Sequence, residues 1–231
     1  MNPVFLLRLA LDFIAASLLL AGLAYYWLDN VTHELIGTAM FLLIIVHNVF
    51  NRRWYGRLSK APREALGLSN TVTIASLASI MLVLLVTSLM ISRSVFSFLP
   101  LSGGYGTRQI HTLAAYWALV IVSIHLGMRW SIIMATIRGI CGITTVNTVR
   151  VVLLRMAAIA IAAYGIRSSV VMGIGSKLTA QVTMDFWDFE ASTLGFFAHN
   201  VSILALFVFL GHYATKWLRR WKGTRRAAAA V

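Results

Sequence analysis

The apolar residues of this chain are gathered into six runs, each long enough to cross a membrane as a helix. The runs cover 5–27, 33–51, 71–92, 109–136, 151–172 and 192–216. A hydrocarbon core about 30 Å thick requires about twenty such residues. The fifth run is the weakest because Arg155 and Arg167 shorten it, although both side chains can reach toward the interfaces. The pattern predicts a single domain, 1–231, that is an all-α integral membrane bundle of six transmembrane helices.

Composition agrees with this assignment. The 231 residues are 59% hydrophobic and 12% charged, and the mean hydropathy is +0.82, which is outside the range of soluble globular proteins. The single cysteine, Cys141, excludes an internal disulfide and the C-x-x-C-H motif of covalent c-type haem attachment. The first run resembles a signal peptide, with Arg8 ahead of it, but it is long enough to span and contains Asp12. We therefore expect it to be retained as a span.

The basic residues are distributed unequally between the two sides of the bundle. The net charge of +13 could suggest nucleic-acid binding, but the basic residues lie at the ends of apolar runs, where anionic headgroups attract them. Those that follow the second, fourth and sixth runs are Arg52, Arg53, Arg57, Lys60, Arg63, Arg129, Arg138, Arg150, Lys216, Arg219, Arg220, Lys222, Arg225 and Arg226. The opposite connections hold only Arg93, Arg108, Arg167 and Lys177, beside four acidic residues. The asymmetry predicts cytoplasmic termini, a lipid environment and no nucleic-acid partner.

The six histidines form three pairs, whose members lie fourteen, fourteen and thirteen residues apart: His33 and His47, His111 and His125, His199 and His212. On a helix, fourteen residues separate two imidazoles by roughly 21 Å along the axis and by roughly 40° around it. Both members of the first two pairs therefore face nearly the same neighbour. Thirteen residues leave the third pair roughly 140° apart, so it fits one shared seam less well unless its helix bends.

The spacing of the pairs also indicates an internal repeat. The second pair is displaced from the first by seventy-eight residues, and the third by a further eighty-eight or eighty-seven. This predicts three repeated helical hairpins, approximately 1–60, 70–138 and 150–222, whose second helix carries the histidine pair, and a basic C-terminal tail, 217–231. Three histidines then share each membrane depth: the outer layer is His33, His111 and His199, and the inner layer is His47, His125 and His212.

Histidines at matched depth on two helices are suited to holding haem. Neutral imidazole is a strong axial ligand of iron, and a haem clamped between two helices needs one histidine from each. We expect His33 and His111 to bind an outer haem iron, and His47 and His125 an inner one. The two irons would be about 20 Å apart by helical rise. Both would belong to non-covalent b-type haems.

The third pair and the competing functions stay open. His199 and His212 could hydrogen-bond propionates, line a quinol site or replace an axial ligand. A lone intramembrane histidine can also simply join helices, at about 1 kcal/mol or less, and a structural anchor would need no more. A divalent-metal transporter for iron or zinc is the main alternative, but such sites usually add carboxylates or thiolates. Glu34 is the only acid adjacent in sequence to a histidine.

Two segments resemble a known family. HELIGTAMFLLIIVHNVFNRRW and QIHTLAAYWALVIVSIHLGMRW are similar to transmembrane b-type cytochromes, and more closely to flavinylation-associated cytochromes, long catalogued as a domain of unknown function. The resemblance covers the first four runs, and the last two only through their histidines. It implies bis-histidine haems and electron exchange with extracytoplasmic flavoproteins or other redox proteins. Ferric-reductase-like cytochromes share the spacing, but their fused forms carry a nucleotide- or flavin-binding domain, which we do not expect here because the sequence stops soon after the sixth run.

Other polar residues and glycines admit two interpretations each. Asp12 follows Arg8 by four residues and could form a neutralised contact with it, or handle protons or a quinol. Arg108 and Arg167 could pair with propionates or only reach the interface. Helix glycines beside the histidines could admit a macrocycle or serve helix packing; they are Gly37 and Gly127. The outer stretch 173–191 could be an interfacial helix or a docking surface, with the docking residues Asp185, Trp187 and Glu190.

The combined expectation is a dihaem cytochrome of the bacterial inner membrane. It would pass electrons between a quinol or cytoplasmic-side donor and an extracytoplasmic acceptor. The protein would supply ligands and a low dielectric, while the redox chemistry would be that of the haem. No catalytic residue is assigned on the chain itself.

Overall fold

The computed structural model describes residues 3–52, 65–145, 147–181 and 186–228, and these residues form helices without strands. The helices are α1 Pro3–Gly22, α2 Asn30–Asn51, α3 Ala65–Ile91, α4 Tyr105–Ile140, α5 Thr148–Val171, α6 Ile174–Leu178 and α7 Phe189–Ala228. All except the short α6 are long and apolar enough to cross a membrane. The predicted all-helical bundle of six spans is therefore confirmed for the described residues.

Capping side chains set the boundaries that the apolar pattern misses. The first run is predicted to reach residue 27, but α1 ends at Gly22 and the chain turns before α2. Asp29 caps α2, since its two carboxylate oxygens accept from the Thr32 amide at 2.9 Å and the Thr32 hydroxyl at 2.7 Å. These bonds, with the amide the largest, hold the pKa of Asp29 below its usual value. The caps thereby fix the depth at which α2 begins.

The last long helix also begins with a capped irregular turn. Asp188 accepts from the amides of Glu190 and Ala191, each at 3.0 Å. Ser192 interrupts the helix with φ −161° and ψ 83°, and its hydroxyl accepts from the Gly195 amide at 3.1 Å. Continuous helix therefore starts close to the predicted limit of 192, and it runs past the predicted end at 216 into the basic tail.

Helices α4, α5 and α7 form the tightly packed part of the bundle. A Cβ atom on Gly127 of α4 would meet the carbonyl oxygen of Val208 and the backbone of Gly211 on α7. A Cβ atom on Gly165 of α5 would meet the carbonyl oxygen of Ser202, also on α7. Small residues let transmembrane backbones approach to this distance. Gly127 therefore serves helix packing, which is one of the two roles that the sequence allowed for it.

Helix α2 is packed differently. Its main neighbour is α1, with a smaller contact to α3, and Met40 is its only described side chain in the buried class. Met40 lies midway between His33 and His47, as Ala118 lies midway between the histidines of α4. Both belong to one buried apolar cluster that joins the first four helices, with Leu19 and Leu84. An apolar layer therefore separates the outer histidine layer from the inner one.

The long helices pack as three pairs of chain neighbours. The packed pairs are α1 with α2, α3 with α4, and α5 with α7, while α4 and α7 join the second and third pairs. An even number of spans puts both ends of the chain at one end of the bundle, together with Arg52, Arg129 and Lys216. We call this the basic end. Arg53, Arg57, Lys60 and Arg63, which follow α2 in sequence, lie outside the described residues.

Candidate functional site

The outer layer brings His33 of α2 and His111 of α4 together. Their ring centroids are 6.3 Å apart and the ring planes are inclined at 71°. Tyr25 packs edge-on against His33 from the turn after α1, at 4.9 Å. Both histidines are half-buried. Two helices that are not consecutive in the chain thus present imidazoles to one another at one membrane depth.

The ring of His111 is oriented by a hydroxyl of α3. Its Nδ1 lies 3.0 Å from Thr87 Oγ1, and the same hydroxyl donates to the carbonyl of Val83 at 2.7 Å. A hydroxyl has a single proton to donate, so Thr87 accepts from Nδ1–H of His111. The other ring nitrogen, Nε2, then keeps the lone pair that a metal ligand needs.

Glu34, the acid beside His33, holds the chain between α3 and α4. Its carboxylate accepts from five donors: Asn30 Nδ2 at 2.8 Å, Ser92 Oγ at 2.7 Å, and the amides of Arg93 at 2.8 Å, Ser94 at 3.2 Å and Val95 at 2.7 Å. These bonds tie the start of α2 to the α3–α4 connection. Glu34 is therefore a structural anchor at the outer end, next in sequence to a candidate ligand.

The inner layer contains a carboxylate that sequence reasoning assigned elsewhere. Nδ1 of His47 lies 2.5 Å from a carboxylate oxygen of Asp12 on α1. The predicted contact between Asp12 and Arg8 is wrong, because the guanidinium of Arg8 instead donates to the Phe50 carbonyl of α2 at 3.0 Å. Both side chains of α1 turn toward α2, its principal neighbour. A carboxylate thus stands beside an inner histidine, as well as beside His33.

His125, the α4 member of the inner layer, lies within electrostatic range of Arg129, Asp12 and His47. Its Nδ1 is buried and has no hydrogen-bond partner among the described residues, and the same holds for Nδ1 of His33. Buried polar atoms usually have partners, and each exception calls for an explanation such as a bound ion or group. The two unpartnered atoms lie in different layers, one on α2 and one on α4.

His199 does not point toward the pair formed by His33 and His111. It is 9% exposed, and its Nδ1 lies 2.8 Å from the hydroxyl of Ser168 on α5. Its ring is stacked on Tyr164 of α5, with centroids 5.6 Å apart and an interplanar angle of 15°. Trp187 meets it edge-on at 5.4 Å. The outer histidine of α7 therefore faces α5.

His212, the inner histidine of α7, lies where α4 and α7 are closest. Its backbone nitrogen is one of the atoms that a Cβ on Gly127 would meet. Its ring packs edge-on against Tyr213 at 5.1 Å. The close backbone approach leaves no room for a macrocycle between α4 and α7 at this point. The third pair is thus split between an α5 contact and the α4 seam.

Gly37 and the two outer arginines have different surroundings. A Cβ on Gly37, one turn after His33, would meet nothing within 4 Å, so the α2 face beside the outer layer is open. The guanidinium of Arg167 lies over the Tyr164 ring at 5.8 Å, and Arg108 is exposed.

The predicted docking stretch is less open than the sequence suggests. Trp187 is half-buried; it donates from Nε1 to the Ser192 carbonyl at 2.7 Å and packs on Phe196 at 6.3 Å. The ring of Trp187 is only partly exposed, because it also packs edge-on against His199. Glu190 is exposed, and Asp185 lies outside the described residues.

Some contacts of the site carry no local sequence signal. The contacts of His47 with Asp12, of His111 with Thr87 and of His199 with Ser168 each join residues of different helices. Within the described part of the chain, no group of three or more histidine, cysteine, aspartate or glutamate side chains could hold a metal ion.

Comparison of the chain with protein-family models, curated proteins and solved structures finds no match.

Proposed function

We propose that this protein is a transmembrane dihaem cytochrome of the b type, in which α2 and α4 supply the axial ligands of both irons. The observation that carries the proposal is the juxtaposition of His33 and His111, whose ring centroids are 6.3 Å apart. A metal ion lies about 2 Å from a ligating imidazole nitrogen, so two imidazoles on opposite sides of one ion have centroids roughly 6 Å apart. The outer pair fits bis-histidine ligation of a single iron.

The partners of the ring nitrogens support the same assignment. Histidines that bind metals usually donate their other ring N–H to a carboxylate, carbonyl or hydroxyl, which fixes the tautomer and raises the basicity of the ligand. Thr87 does this for His111, and Asp12 for His47. In each haem site, one histidine would thus be oriented by a neighbouring helix.

The surroundings of α2 are more open than the contact between α4 and α7, which supports a haem position beside α2. Helix α2 packs mainly on α1, and an added Cβ on Gly37 would meet no atom within 4 Å. At the α4–α7 seam, by contrast, Gly127 touches the opposite backbone. These contacts favour the α2–α4 pairing over any pairing that uses α7, and they leave His199 and His212 as neighbours or alternative ligands of the haems.

The chain would hold the two haems so that electrons cross the membrane between them. Bound haem supplies a one-electron ferric–ferrous couple. The protein positions the rings, excludes water and separates the layers by an apolar cluster that includes Met40 and Ala118. By the distribution of basic residues, the basic end would face the cytoplasm of a bacterium. The donor would be a quinol or a cytoplasmic-side reductant, and the acceptor an extracytoplasmic flavoprotein or other redox protein.

The test is the optical spectrum and haem content of the purified protein. We expect two b haems per chain. Their reduced-state spectrum should show the sharp bands that are typical of bis-histidine ligation. Haem-free protein from cells that make haem normally would contradict the proposal.

A divalent-metal transporter is the second candidate, and one contact favours it. The pairing of Asp12 with His47 supplies a carboxylate at the depth of the inner layer, which zinc and iron transport sites commonly contain. Metal analysis of the same preparation separates the two candidates. Zinc or non-haem iron that is lost on replacing Asp12 by asparagine, in protein without haem, would establish the transporter instead.

A further inference from the structure

We infer that exposed aromatic rings at the outer end form the surface on which a soluble redox protein docks, and that this partner carries a basic rim around its cofactor. The rings, which we call the aromatic patch, belong to Tyr25, Tyr26, Trp27 and Phe186. The inference rests on the proposed function and adds a place of contact on this chain. It holds for electron transfer in either direction.

The aromatic patch joins two separate connections of the bundle. Tyr26, in the turn between α1 and α2, meets Phe186 edge-on, with ring centroids 4.7 Å apart. Trp27, in the same turn, meets Phe197 of α7 at 5.7 Å. Phe186 belongs to the segment before α7, more than one hundred and fifty positions from the turn. Contacts within the protein therefore hold the rings of the patch together.

The rings of the patch lie beyond the helices that could cross the membrane. The candidate spans nearest to them are Val4–Gly22, Asn30–Phe50 and Phe189–Trp221. The exposed fractions are 44% for Tyr25, 66% for Tyr26, 52% for Trp27 and 57% for Phe186. Aromatic side chains are enriched at protein interfaces relative to the rest of a protein surface. The position and the exposure of these rings favour contact with another protein.

A row of ring contacts links the aromatic patch to the outer histidine layer. Tyr26 meets Tyr25 with centroids 5.5 Å apart, and Tyr25 meets His33 at 4.9 Å. His33 is the α2 ligand that we propose for the outer iron. Electron transfer slows steeply with distance, so a cofactor docked on the patch would exchange electrons with the outer haem by way of Tyr25 and His33. The patch is therefore placed to serve as the electron contact of the outer haem.

The charges next to the patch in sequence are acidic. Asp29 follows Trp27 by two residues and Asp188 follows Phe186 by two, and both are exposed. No lysine or arginine lies within three residues of a patch ring in sequence. The four outer bases belong to other segments: Arg93, Arg108, Arg167 and Lys177. A basic rim on the partner would complement the two acids and speed its encounter with the patch.

The size of the patch fits a transient partner. Four rings are a small contact area, and complexes that exchange electrons are at the low end of interface sizes because they must separate after each transfer. A core of aromatic rings with charged residues at its edge is the usual composition of such a surface.

Electron exchange with cytochrome c, a soluble protein with a basic rim around its haem edge, tests the inference. Reduced, haem-loaded protein is mixed with ferric cytochrome c, and one electron passes from the ferrous outer iron to the ferric iron of the probe. Cytochrome c with succinylated lysines, whose charge is reversed, is the matched probe. We expect the native probe to react faster, and the difference to shrink as salt is added.

Variants of the patch separate docking from electron contact. Tyr26→Ser and Phe186→Ser should each raise the half-saturating concentration of cytochrome c by about fivefold, the effect expected when an anchoring ring is removed from an interface. Tyr25→Leu should instead lower the rate at saturation, because it removes the ring between the patch and His33.

Phe98→Ser is the matched control. Phe98 is 76% exposed in the α3–α4 connection at the same end, and its ring meets Phe96 at 6.4 Å. This variant should change neither the half-saturating concentration nor the saturating rate. Haem content and midpoint potentials of every variant are measured first, so that a slower reaction does not reflect a lost haem or an altered driving force.

Three results would overturn the inference alone. Patch variants that react like Phe98→Ser would leave the rings as an aromatic belt at the membrane interface. A dimer that separates on Tyr26→Ser would assign the patch to a second copy of the chain. Faster reaction with the succinylated probe would contradict the acidic surroundings, and this comparison needs only the unaltered protein if the variants do not assemble. Haem-free protein would overturn the proposed function and the inference with it.

Discussion

Glu34 and Asp12 are both acidic residues within spans, and their surroundings give them different tasks. Glu34 accepts only from polar groups of its own first turn and of the α3–α4 connection. Asp12 contacts the imidazole of His47. An acid inside a span is costly unless it is paired. One carboxylate therefore stabilises the fold, and the other lies within the candidate site.

Replacement of Glu34 by glutamine should destabilise the protein without removing a haem ligand. The amide cannot accept at its nitrogen, so the partly exposed backbone amides of Arg93, Ser94 and Val95 would lose charge-assisted bonds, at a cost of about 1–3 kcal/mol. Thermal unfolding in detergent, followed by circular dichroism, measures the loss. Glu190→Gln, at an exposed position, is the control. Equal melting temperatures for the two variants would contradict the structural role.

At the scale of the helices, packing density distinguishes the two sides of α4. Toward α7, glycine brings the backbones into contact, whereas α2 is largely unburied. Residues 33, 40 and 47 of α2, like 111, 118 and 125 of α4, recur every seven residues and so lie on nearly one helix face. The faces that carry the histidines are joined at mid-depth by one apolar cluster.

A matched pair of glycine substitutions on α4 should separate packing from helix propensity. Gly127→Ala should lower stability by about 1–3 kcal/mol, because the added methyl group meets the Val208 carbonyl and forces α4 and α7 apart. Gly106→Ala, on the same helix, meets nothing within 4 Å and should be neutral or slightly stabilising. Unfolding midpoints of the two variants provide the comparison. A Gly127→Ala protein as stable as Gly106→Ala would mean that the seam is looser than described.

The sequence predicted the helices better than it predicted the contacts between them. Apolar length located all six spans, because a membrane span needs length and hydrophobicity alone. The end of α1 at Gly22 and the start of α2 after the Asp29 cap were missed. So was the pairing of Asp12 with His47, since thirty-five positions separate them and only the packing of α1 on α2 joins them. The rotation of α7 that turns His199 toward Ser168 follows from tertiary packing too.

At the scale of the whole molecule, charge and topology together determine which end each histidine layer is near. The basic end carries Arg52, Arg129 and Lys216, one turn beyond the inner histidines. The other end carries the α3–α4 connection, which includes Ser102, and the α5–α7 connection. If the basic end is cytoplasmic, as the positive-inside rule predicts, the inner haem is the one nearer the cytoplasm.

Cysteine accessibility in intact cells should confirm this orientation. The native Cys141 is exposed after α4 and should be labelled only when reagents enter the cytoplasm. Ser102→Cys, in a Cys141→Ser background, should be labelled from outside. Ser59→Cys should behave like Cys141, although position 59 lies outside the described residues. Outside labelling at Cys141 together with protection at position 102 would reverse the orientation.

The haem-to-chain ratio of the six single histidine-to-alanine variants tests the assignment of ligands most directly. We expect two haems in the unaltered protein and one in each variant of α2 or α4: His33 and His111 with loss of the outer haem, His47 and His125 with loss of the inner haem. Alanine at His199 or His212 should keep two haems and shift only their potentials, because His199 contacts Ser168 of α5 and His212 packs on Tyr213 of its own helix. Loss of a haem on replacing His199 or His212, with two haems retained after replacement of an α2 or α4 histidine of that layer, would contradict the account.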